Sequence, residues 1–244
     1  MKAVRSGNGF RLKGAKAFVV DGHASDLLIV AARTAGESGD REGLTLFLVN
    51  PRSKGIEIER TAMVDAHNAA RIVFNDAEVT ADGVLGEVDQ GGVLLEGILN
   101  VGRAAVASEM VGLSEEAFTR TVTYLKERKQ FGRVIGSFQA VKHMCAEMAA
   151  ELEPGRALIW YAAHAFDELP EEASLMAAHA KAHLSEVGRF VARTATEVHG
   201  GMGFTWEFDC HLYYRRANVL ALSLGSLSYW ENQLIDRLRF RNAS

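Results

Sequence analysis

Three short clusters of charged, aromatic and glycine residues could carry chemistry in this sequence. Arg128–Gly132 (RKQFG) sets an arginine, which can form two directed hydrogen bonds to a phosphate, close to an aromatic residue and a glycine. His199–Phe204 (HGGMGF) has three glycines in four positions, which let a backbone approach a flat or anionic group closely. Tyr213–Arg216 (YYRR) joins two aromatic residues to two arginines. A solvated helix end or a tight turn explains such clusters as well, so both interpretations stay open.

Other catalytic and ligand-binding signatures are weak. Gly7 and Gly9 lack the third glycine and the following helix of a dinucleotide fingerprint, and there is no P-loop pattern. His179 and His183 stand four residues apart on a predicted helix and share a face, but no third ligand lies at a recognisable spacing. No serine sits in a nucleophile-elbow pattern. We therefore predict no metal site and no Ser-His-Asp triad.

The composition predicts a soluble, cytoplasmic protein. Of its 244 residues 48% are apolar, which suffices for one large or two small packed domains. The 27 basic and 31 acidic residues give a net charge of −4 without a basic stretch, so we expect no nucleic-acid partner. Two cysteines cannot build a disulfide framework and suit a reducing compartment. We expect no signal peptide and no membrane span, because the apolar runs are too short.

Residues 1–88 have the spacing of β-strands. Continuous apolar runs (Leu27–Ala32, Leu44–Val49) and strict alternation (Ile56–Glu59) are typical of strands. No helical pattern separates these runs, which argues against parallel βαβ units. We predict an antiparallel sheet or flattened barrel, with a turn at Lys13–Gly14 and a loop from Asn75–Asp76.

From Gly91–Gly92 onward the apolar spacing becomes helical. Long helices with short connections form bundles, so the predicted fold class is α+β, an antiparallel β-sheet or barrel domain over 1–88 followed by an up-down four-helix bundle over 89–244. The predicted helices are Val93–Arg128, a second helix capped by Ser137 and broken or kinked at Pro154–Gly155, Pro170–Val198, a shorter one over Cys210–Ala217, and Leu227–Phe240.

Several motifs, in order along the whole chain, resemble those of the acyl-CoA dehydrogenase family of flavoproteins. Arg128–Gly132 followed by Phe138–Gln139 is similar to the family pattern R-x-x-F-G…F-Q. His199–Phe204 is similar to h-G-G-x-G-[FY], and Tyr214–Ala217 is similar to Y-R-D-A. In combination these motifs are specific. Further matches are Gly14–Val19, Ala31–Thr34 and Leu85–Glu87.

The resemblance implies FAD as the cofactor and a homodimer or homotetramer assembled through the helices. It also implies that Arg103 contacts the acyl-CoA substrate. The residues implied to contact FAD are Phe18 and Val20 beside the isoalloxazine ring, Arg128 at the pyrophosphate, Phe131 and Gly132 packed on the cofactor, Glu197, Gly200 and Gly201 toward its phosphates and adenosine end, and Ser226.

The implied reaction is α,β-desaturation of an acyl-CoA thioester, in which a carboxylate removes the α-proton and a hydride passes to FAD. Leu224 stands where the family usually has this glutamate, and Gly102 stands at the alternative position on the first long helix. Neither side chain accepts a proton. Val20 replaces the usual hydroxyl residue, and Glu197 replaces the usual glutamine. The candidate replacement bases are Glu96, Glu109 and Glu231, for which a solvated helix position is the favoured interpretation.

Three functions therefore stay open. The first is an acyl-CoA dehydrogenase of fatty acid metabolism. The second is a catalytically deficient subunit or fragment that pairs with a paralogous, glutamate-bearing acyl-CoA dehydrogenase subunit. The third is a different flavin oxidoreductase on the same scaffold. We expect the family's N-terminal helical domain to be missing from these 244 residues, which are too few for all three family domains.

Overall fold

The computed structural model describes residues 1–40 and 42–241 and divides into two compact units. The first unit is Met1–Ile98, and the second begins at Leu99. A helix that begins at Gly91 crosses this division, and its start lies where the period of the sequence changes.

The first unit is built on one seven-stranded sheet. Its strands are β1 Lys2–Ser6, β2 Gly9–Val20, β3 Leu28–Arg33, β4 Leu44–Val49, β5 Ile56–Ala62, β6 Asn68–Thr80 and β7 Val84–Leu85. The order across the sheet is β5-β6-β2-β1-β3-β4-β7. Neighbouring strands run antiparallel except β1 and β3, which pair in parallel at Lys2 and Arg33. The sheet is therefore mixed, whereas the sequence predicted a wholly antiparallel one.

Two predicted interruptions of the strands are bulges instead. The turn predicted at Lys13–Gly14 is wrong, because β2 continues through it with Gly14 at φ 135° and a shift of register against β6. The loop predicted from Asn75–Asp76 is also wrong, because β6 continues through it with Asp76 at φ 51°. Glycine and aspartate suit turns and bulges alike, since both tolerate a positive φ.

One face of the sheet carries the core of the first unit. Leu12, Ile72 and Phe74 are almost fully buried there, and Phe10 packs edge-on against Phe47 with ring centroids 5.2 Å apart. Complete burial of one such side chain stabilises a fold by about 1.5–3 kcal/mol. The alternation of apolar and polar side chains along the strands thus supplies a core of large apolar side chains, as the sequence pattern indicates.

The second unit is helical. Within the described residues the helices are α1 Gly91–Glu127, α2 Gln139–Glu168, α3 Pro170–Val198, α4 Cys210–Leu222 and α5 Leu227–Arg241. The predicted α+β class is confirmed, with a sheet followed by a helical domain, and the predicted helix over Pro170–Val198 has these same bounds in the structure. None of the helices in residues 1–40 and 42–241 has both the length and the apolar character that crossing a membrane requires.

Two details of α2 differ from the prediction. Its N-cap residue is Phe138, and the Ser137 hydroxyl donates to the Val134 carbonyl at 2.7 Å instead of capping the helix. Of the predicted break or kink at Pro154, the break is wrong, because α2 runs through this residue. A proline removes one helix hydrogen bond, and the burial of its neighbours Leu152 and Gly155 offsets that loss.

A glycine lets α3 approach α1 closely. Gly188 on α3 faces Met110 on α1, and a Cβ built on Gly188 would overlap the Met110 Sδ and Cγ atoms. Met110 is 1% exposed, so its side chain has little room to move aside. The close packing of α3 against α1 therefore requires glycine, with no side-chain carbon, at position 188.

We expect Gly188→Ala to lower the free energy of unfolding by about 1–3 kcal/mol, because overpacking a tight core outweighs the gain in helix propensity. Urea denaturation followed by circular dichroism measures the change. The matched control is Gly112→Ala on α1, where no atom lies within 4 Å of the added Cβ. There the free energy of unfolding should rise by about 0.5–1 kcal/mol, and equal shifts in both variants would contradict the close approach.

Candidate active site

A two-residue turn holds Phe131 out in solvent. The short strands β8 (Lys129–Gln130) and β9 (Arg133–Val134) pair antiparallel and leave Phe131 and Gly132 as the turn, at φ 53° and 78°. Positive φ at both central positions is typical of a tight type I′ hairpin, which suits glycine and strains a bulky residue. Phe131 is 93% exposed. An exposed aromatic side chain on a strained backbone points to a functional contact.

Arg128 precedes this hairpin and lines a groove of the helical unit. Its N–H donates to the Tyr124 carbonyl at 2.8 Å, and its carbonyl accepts from the Ile135 N–H at 2.8 Å. The Tyr124 ring stacks on the His199 ring with centroids 4.3 Å apart, and Tyr124 Oη donates to the His199 carbonyl at 3.4 Å. Arg128, Tyr124 and His199 line one groove of about 610 Å³. The structure thus brings the first two sequence clusters together.

The glycine cluster after α3 borders open space. Gly200–Phe204 forms a turn of 3-10 helix, with Gly200 at φ 61°. No atom lies within 4 Å of a Cβ built on Gly200 or Gly201, whereas a Cβ on Gly203 would overlap the Thr196 carbonyl. Glu197 is exposed in the last turn of α3. The first two glycines therefore leave room for a ligand, and the third permits close packing.

In the first unit, Phe18 and Val20 stand at an irregular end of β2. The register of β2 against β6 shifts between Lys16 and Val19, and Phe18 takes φ 53° within that shift. Phe18 is 66% exposed and Val20 is 75% exposed. A second aromatic side chain is thus held in solvent by a left-handed backbone, at the segment that the resemblance assigns to the isoalloxazine ring.

The two expected positions of the proton-accepting carboxylate face each other. Leu224 and Gly225 form the turn between α4 and α5, at φ 58° and 114°. A Cβ built on Gly102 of α1 would stand 3.0 Å from Leu224 Cδ1. Position 224 in the turn and position 102 on α1 therefore reach the same place, and apolar groups occupy that place in this chain.

Ser226 and Arg103 make contacts within the protein. Ser226 directly precedes α5, and its Oγ accepts from the Tyr229 N–H at 3.4 Å. Arg103 is 5% exposed, and its guanidinium carbon lies 4.1 Å from the centroid of the Trp230 ring. Arg103 Nη1 also donates to Asn100 Oδ1 at 2.5 Å. Contact of Ser226 with cofactor and of Arg103 with substrate stays a prediction.

Lys181 is a buried residue of this region that the motifs did not single out. It is 1% exposed, and its Nζ donates to Ser185 Oγ at 2.8 Å, the Ala221 carbonyl at 3.0 Å and the Gly225 carbonyl at 3.3 Å. Burial lowers the pKa of Lys181 to about 8. The one signal in the sequence is a lysine between Ala180 and Ala182, at a position where the apolar spacing of α3 expects a core residue.

The remaining candidates are the three glutamates considered as replacement bases and the histidine pair of α3. Arg216 Nε donates to Glu109 Oε1 at 2.6 Å, so one candidate base forms an ion pair. Glu231 is exposed on α5, and Glu96 lies in the first unit. The rings of His179 and His183 are 6.5 Å apart, and burial with the neighbouring His183 lowers the pKa of His179. Within the described part of the chain, no three His, Cys, Asp or Glu side chains form a group that could hold a metal ion.

Two family models match most of the chain. The acyl-CoA dehydrogenase middle domain matches residues 1–77, and the acyl-CoA dehydrogenase C-terminal domain matches residues 89–238. The chain belongs to the acyl-CoA dehydrogenase family. The resemblance of its motifs is thereby confirmed, and the family is one of FAD-dependent oxidoreductases.

Individual relatives are longer than this chain. It is 32% identical over 243 residues to the mitochondrial short/branched chain specific acyl-CoA dehydrogenase of Rattus norvegicus, a match that covers 97% of this chain and 55% of the relative. The structure of the glutaryl-coenzyme A dehydrogenase glutaryl-CoA complex is similar with a TM-score of 0.92 and 29% identity, over 97% of this chain and 61% of that one. The ChsE4-ChsE5 complex from Mycobacterium tuberculosis gives a TM-score of 0.87 and 27% identity, over 98% and 62%. The chain thus spans less than two thirds of each relative.

The lowered pKa of Lys181 predicts a pH dependence of stability. Its pKa is about 8 in the folded protein and 10.5 ordinarily, so the unfolded chain binds more protons between these pH values. The free energy of unfolding of the wild type, relative to Lys181→Met, should rise by roughly 3 kcal/mol from about pH 8 to about pH 10.5 and stay level below that range. Urea titrations at several pH values measure this difference. The control is the exposed Lys142→Met, and parallel curves for wild type and Lys181→Met would refute the prediction.

Proposed function

We propose that this chain binds FAD and serves an acyl-CoA dehydrogenase reaction, the α,β-desaturation of an acyl-CoA thioester. The observation that carries the proposal is the strained hairpin that exposes Phe131 next to Arg128, beside the groove that His199 also lines. A left-handed backbone at a bulky residue costs about 1–3 kcal/mol. A contact between the side chain and a ligand or partner would explain why a surface hairpin retains a residue with this cost.

The residues assigned to FAD fit the chemistry of that cofactor. The exposed Arg128 guanidinium pairs with none of the described carboxylates and suits the double negative charge of a pyrophosphate. The open space beside Gly200 and Gly201 admits an adenosine group. Phe18 in the first unit and Phe131 in the second each expose an aromatic ring of the kind that packs on a flat cofactor. Glu197 is the exception, because its carboxylate repels phosphate.

The residues of this chain would bind and orient, while the bound FAD supplies the acceptor for the hydride that leaves the acyl-CoA β-carbon. Arg128 offsets phosphate charge with directed hydrogen bonds. Phe131 packs an apolar surface on the cofactor and excludes water there. Val20 carries no hydroxyl, so a hydrogen bond to the ring from this segment has to come from its backbone.

The α-proton of the thioester needs an acceptor that positions 224 and 102 do not provide. Leu224 packs its apolar side chain toward Gly102 at this place. We therefore propose that the chain works in an oligomer, a homodimer or homotetramer or a pair with a paralogous subunit, in which a further group completes the site. The similarity to the ChsE4-ChsE5 complex supports an assembly of more than one chain.

Two charge changes near the implied phosphate site should shift FAD affinity in opposite directions. Arg128→Met removes charge-assisted hydrogen bonds and is expected to raise the Kd for FAD by about 10–100-fold. Glu197→Gln removes a repelling charge and should lower the Kd by about two- to fivefold. Quenching of FAD fluorescence during titration measures both values. Arg156→Met, which removes surface ion pairs to Glu115 and Glu153, should leave the Kd unchanged. A protein that takes up no FAD would refute the proposed function.

Leu224→Glu places a carboxylate where the family reaction uses one. We expect anaerobic bleaching of the bound flavin by an acyl-CoA to become at least about tenfold faster, since a positioned general base contributes about 10²–10⁴-fold. Stopped-flow absorbance at the flavin band measures the rate. Leu222→Glu is the control, because Leu222 is exposed at the end of α4 two residues earlier. Equal rates in the two variants would show that position 224 does not face the substrate.

A further inference from the structure

Two buried donors hold the turn between α4 and α5. Lys181 Nζ donates to the carbonyls of Ala221 at 3.0 Å and Gly225 at 3.3 Å, on either side of residue 224. Trp230 Nε1 donates to the carbonyl of Leu224 itself at 2.9 Å. Lys181 and Trp230 are each 1% exposed. The backbone that carries side chain 224 is therefore bonded from two sides by groups that water does not reach.

The turn is shaped to receive these donors. Leu224 and Gly225, which follow the end of α4, both have positive φ. A Cβ on Gly225 would stand 2.5 Å from Trp230 Nε1, so only glycine admits the indole at this distance. The left-handed Leu224 is strained, and the hydrogen bond to its own carbonyl offsets part of that strain.

The same cluster extends to the helix on the opposite side of residue 224. The Arg103 guanidinium lies over the Trp230 ring at 4.1 Å and donates to Asn100 Oδ1 at 2.5 Å. Arg103 and Asn100 flank Gly102 on α1, the residue that faces Leu224 Cδ1. One set of contacts thus fixes both the turn at 224 and the part of α1 that this side chain meets.

We propose that Lys181 and Trp230 are positioning residues that hold side chain 224 over Gly102. This inference rests on the proposed function, in which that place adjoins the reacting end of the acyl-CoA. It differs from the assignment of a proton acceptor, because both side chains are buried and bond to backbone carbonyls of the turn and of the last turn of α4. Their task is to set the backbone of residue 224, whatever side chain that residue bears.

The chemistry of Lys181 argues against a role in packing alone. An ammonium in an apolar interior loses its hydration, so a core position without acceptors favours an aliphatic residue of similar size. Lys181 keeps its ammonium where three oxygen atoms accept hydrogen bonds, and two of them are carbonyls that bracket residue 224. The Ala221 carbonyl also belongs to the last turn of α4, where the helix dipole favours a cation.

The direct test measures the exposure of side chain 224 in the full chain. Leu224→Cys is introduced, and its alkylation by iodoacetamide is followed by peptide mass spectrometry, which separates it from Cys145 and Cys210. Adding Lys181→Met or Trp230→Phe should raise the alkylation rate at position 224 at least threefold, because each substitution frees a carbonyl of the turn. Lys142→Met should leave the rate unchanged. Leu222→Cys reports general loosening and should react equally in every background.

A second measurement uses the gain expected from Leu224→Glu. Adding Lys181→Met or Trp230→Phe to Leu224→Glu should remove most of the gain in the limiting rate of flavin bleaching, with little change in the acyl-CoA concentration that gives half of this rate. Lys142→Met should keep the gain. If Lys181→Met does not fold, Trp230→Phe decides the outcome. Alkylation rates at position 224 equal to the parent, or rates that rise equally at positions 222 and 224, would overturn the proposal. Failure of the proposed function shows separately as absent FAD uptake, which leaves the alkylation result intact.

Discussion

The candidate site depends on the hydrogen bonds that the buried ammonium of Lys181 donates. A charge removed from water needs oxygen acceptors at close range, and Lys181 has them in Ser185, Ala221 and Gly225. These acceptors belong to α3, to the end of α4 and to the turn that follows. One side chain therefore fixes the place where three elements meet, and Trp230 completes the arrangement from α5.

Regular structure could be predicted from the sequence because it depends on local spacing. The β alternation of the first unit and the bounds of Pro170–Val198 are examples. The sequence wrongly predicted interruptions of regular structure at Gly14, Asp76 and Pro154, because residues distant in the sequence decide the outcome there. Gly14 forms a bulge because β2 pairs with β6, and core packing keeps Pro154 within a helix. Within the site, Arg128 and Phe131 form a contiguous motif and could be predicted. The role of Lys181 could not, since its acceptors at Ala221 and Gly225 lie 40 and 44 residues away.

Three large apolar residues have a left-handed backbone in the part of the chain that the structure describes. They are Phe18, Phe131 and Leu224. Each stands in one of the segments that the resemblance assigns to the reaction: the isoalloxazine wall, the cofactor contact and the proton-acceptor turn. Strain of this kind is costly, so its coincidence with these segments indicates that side-chain direction, rather than local stability, determines the backbone there.

Leu224 and Gly102 are far apart in the sequence but adjacent in space, because the Leu224 side chain reaches the place where a Cβ of residue 102 would stand. The turn after α4 and the helix α1 meet at one point, so under the proposed function a carboxylate at either position would reach the same part of the substrate. A single substitution at either position would add or remove that carboxylate. In such a scaffold the place of the carboxylate in space is fixed, while its position in the sequence is not. A sequence comparison that looks for glutamate at only one of the two positions therefore misses the other.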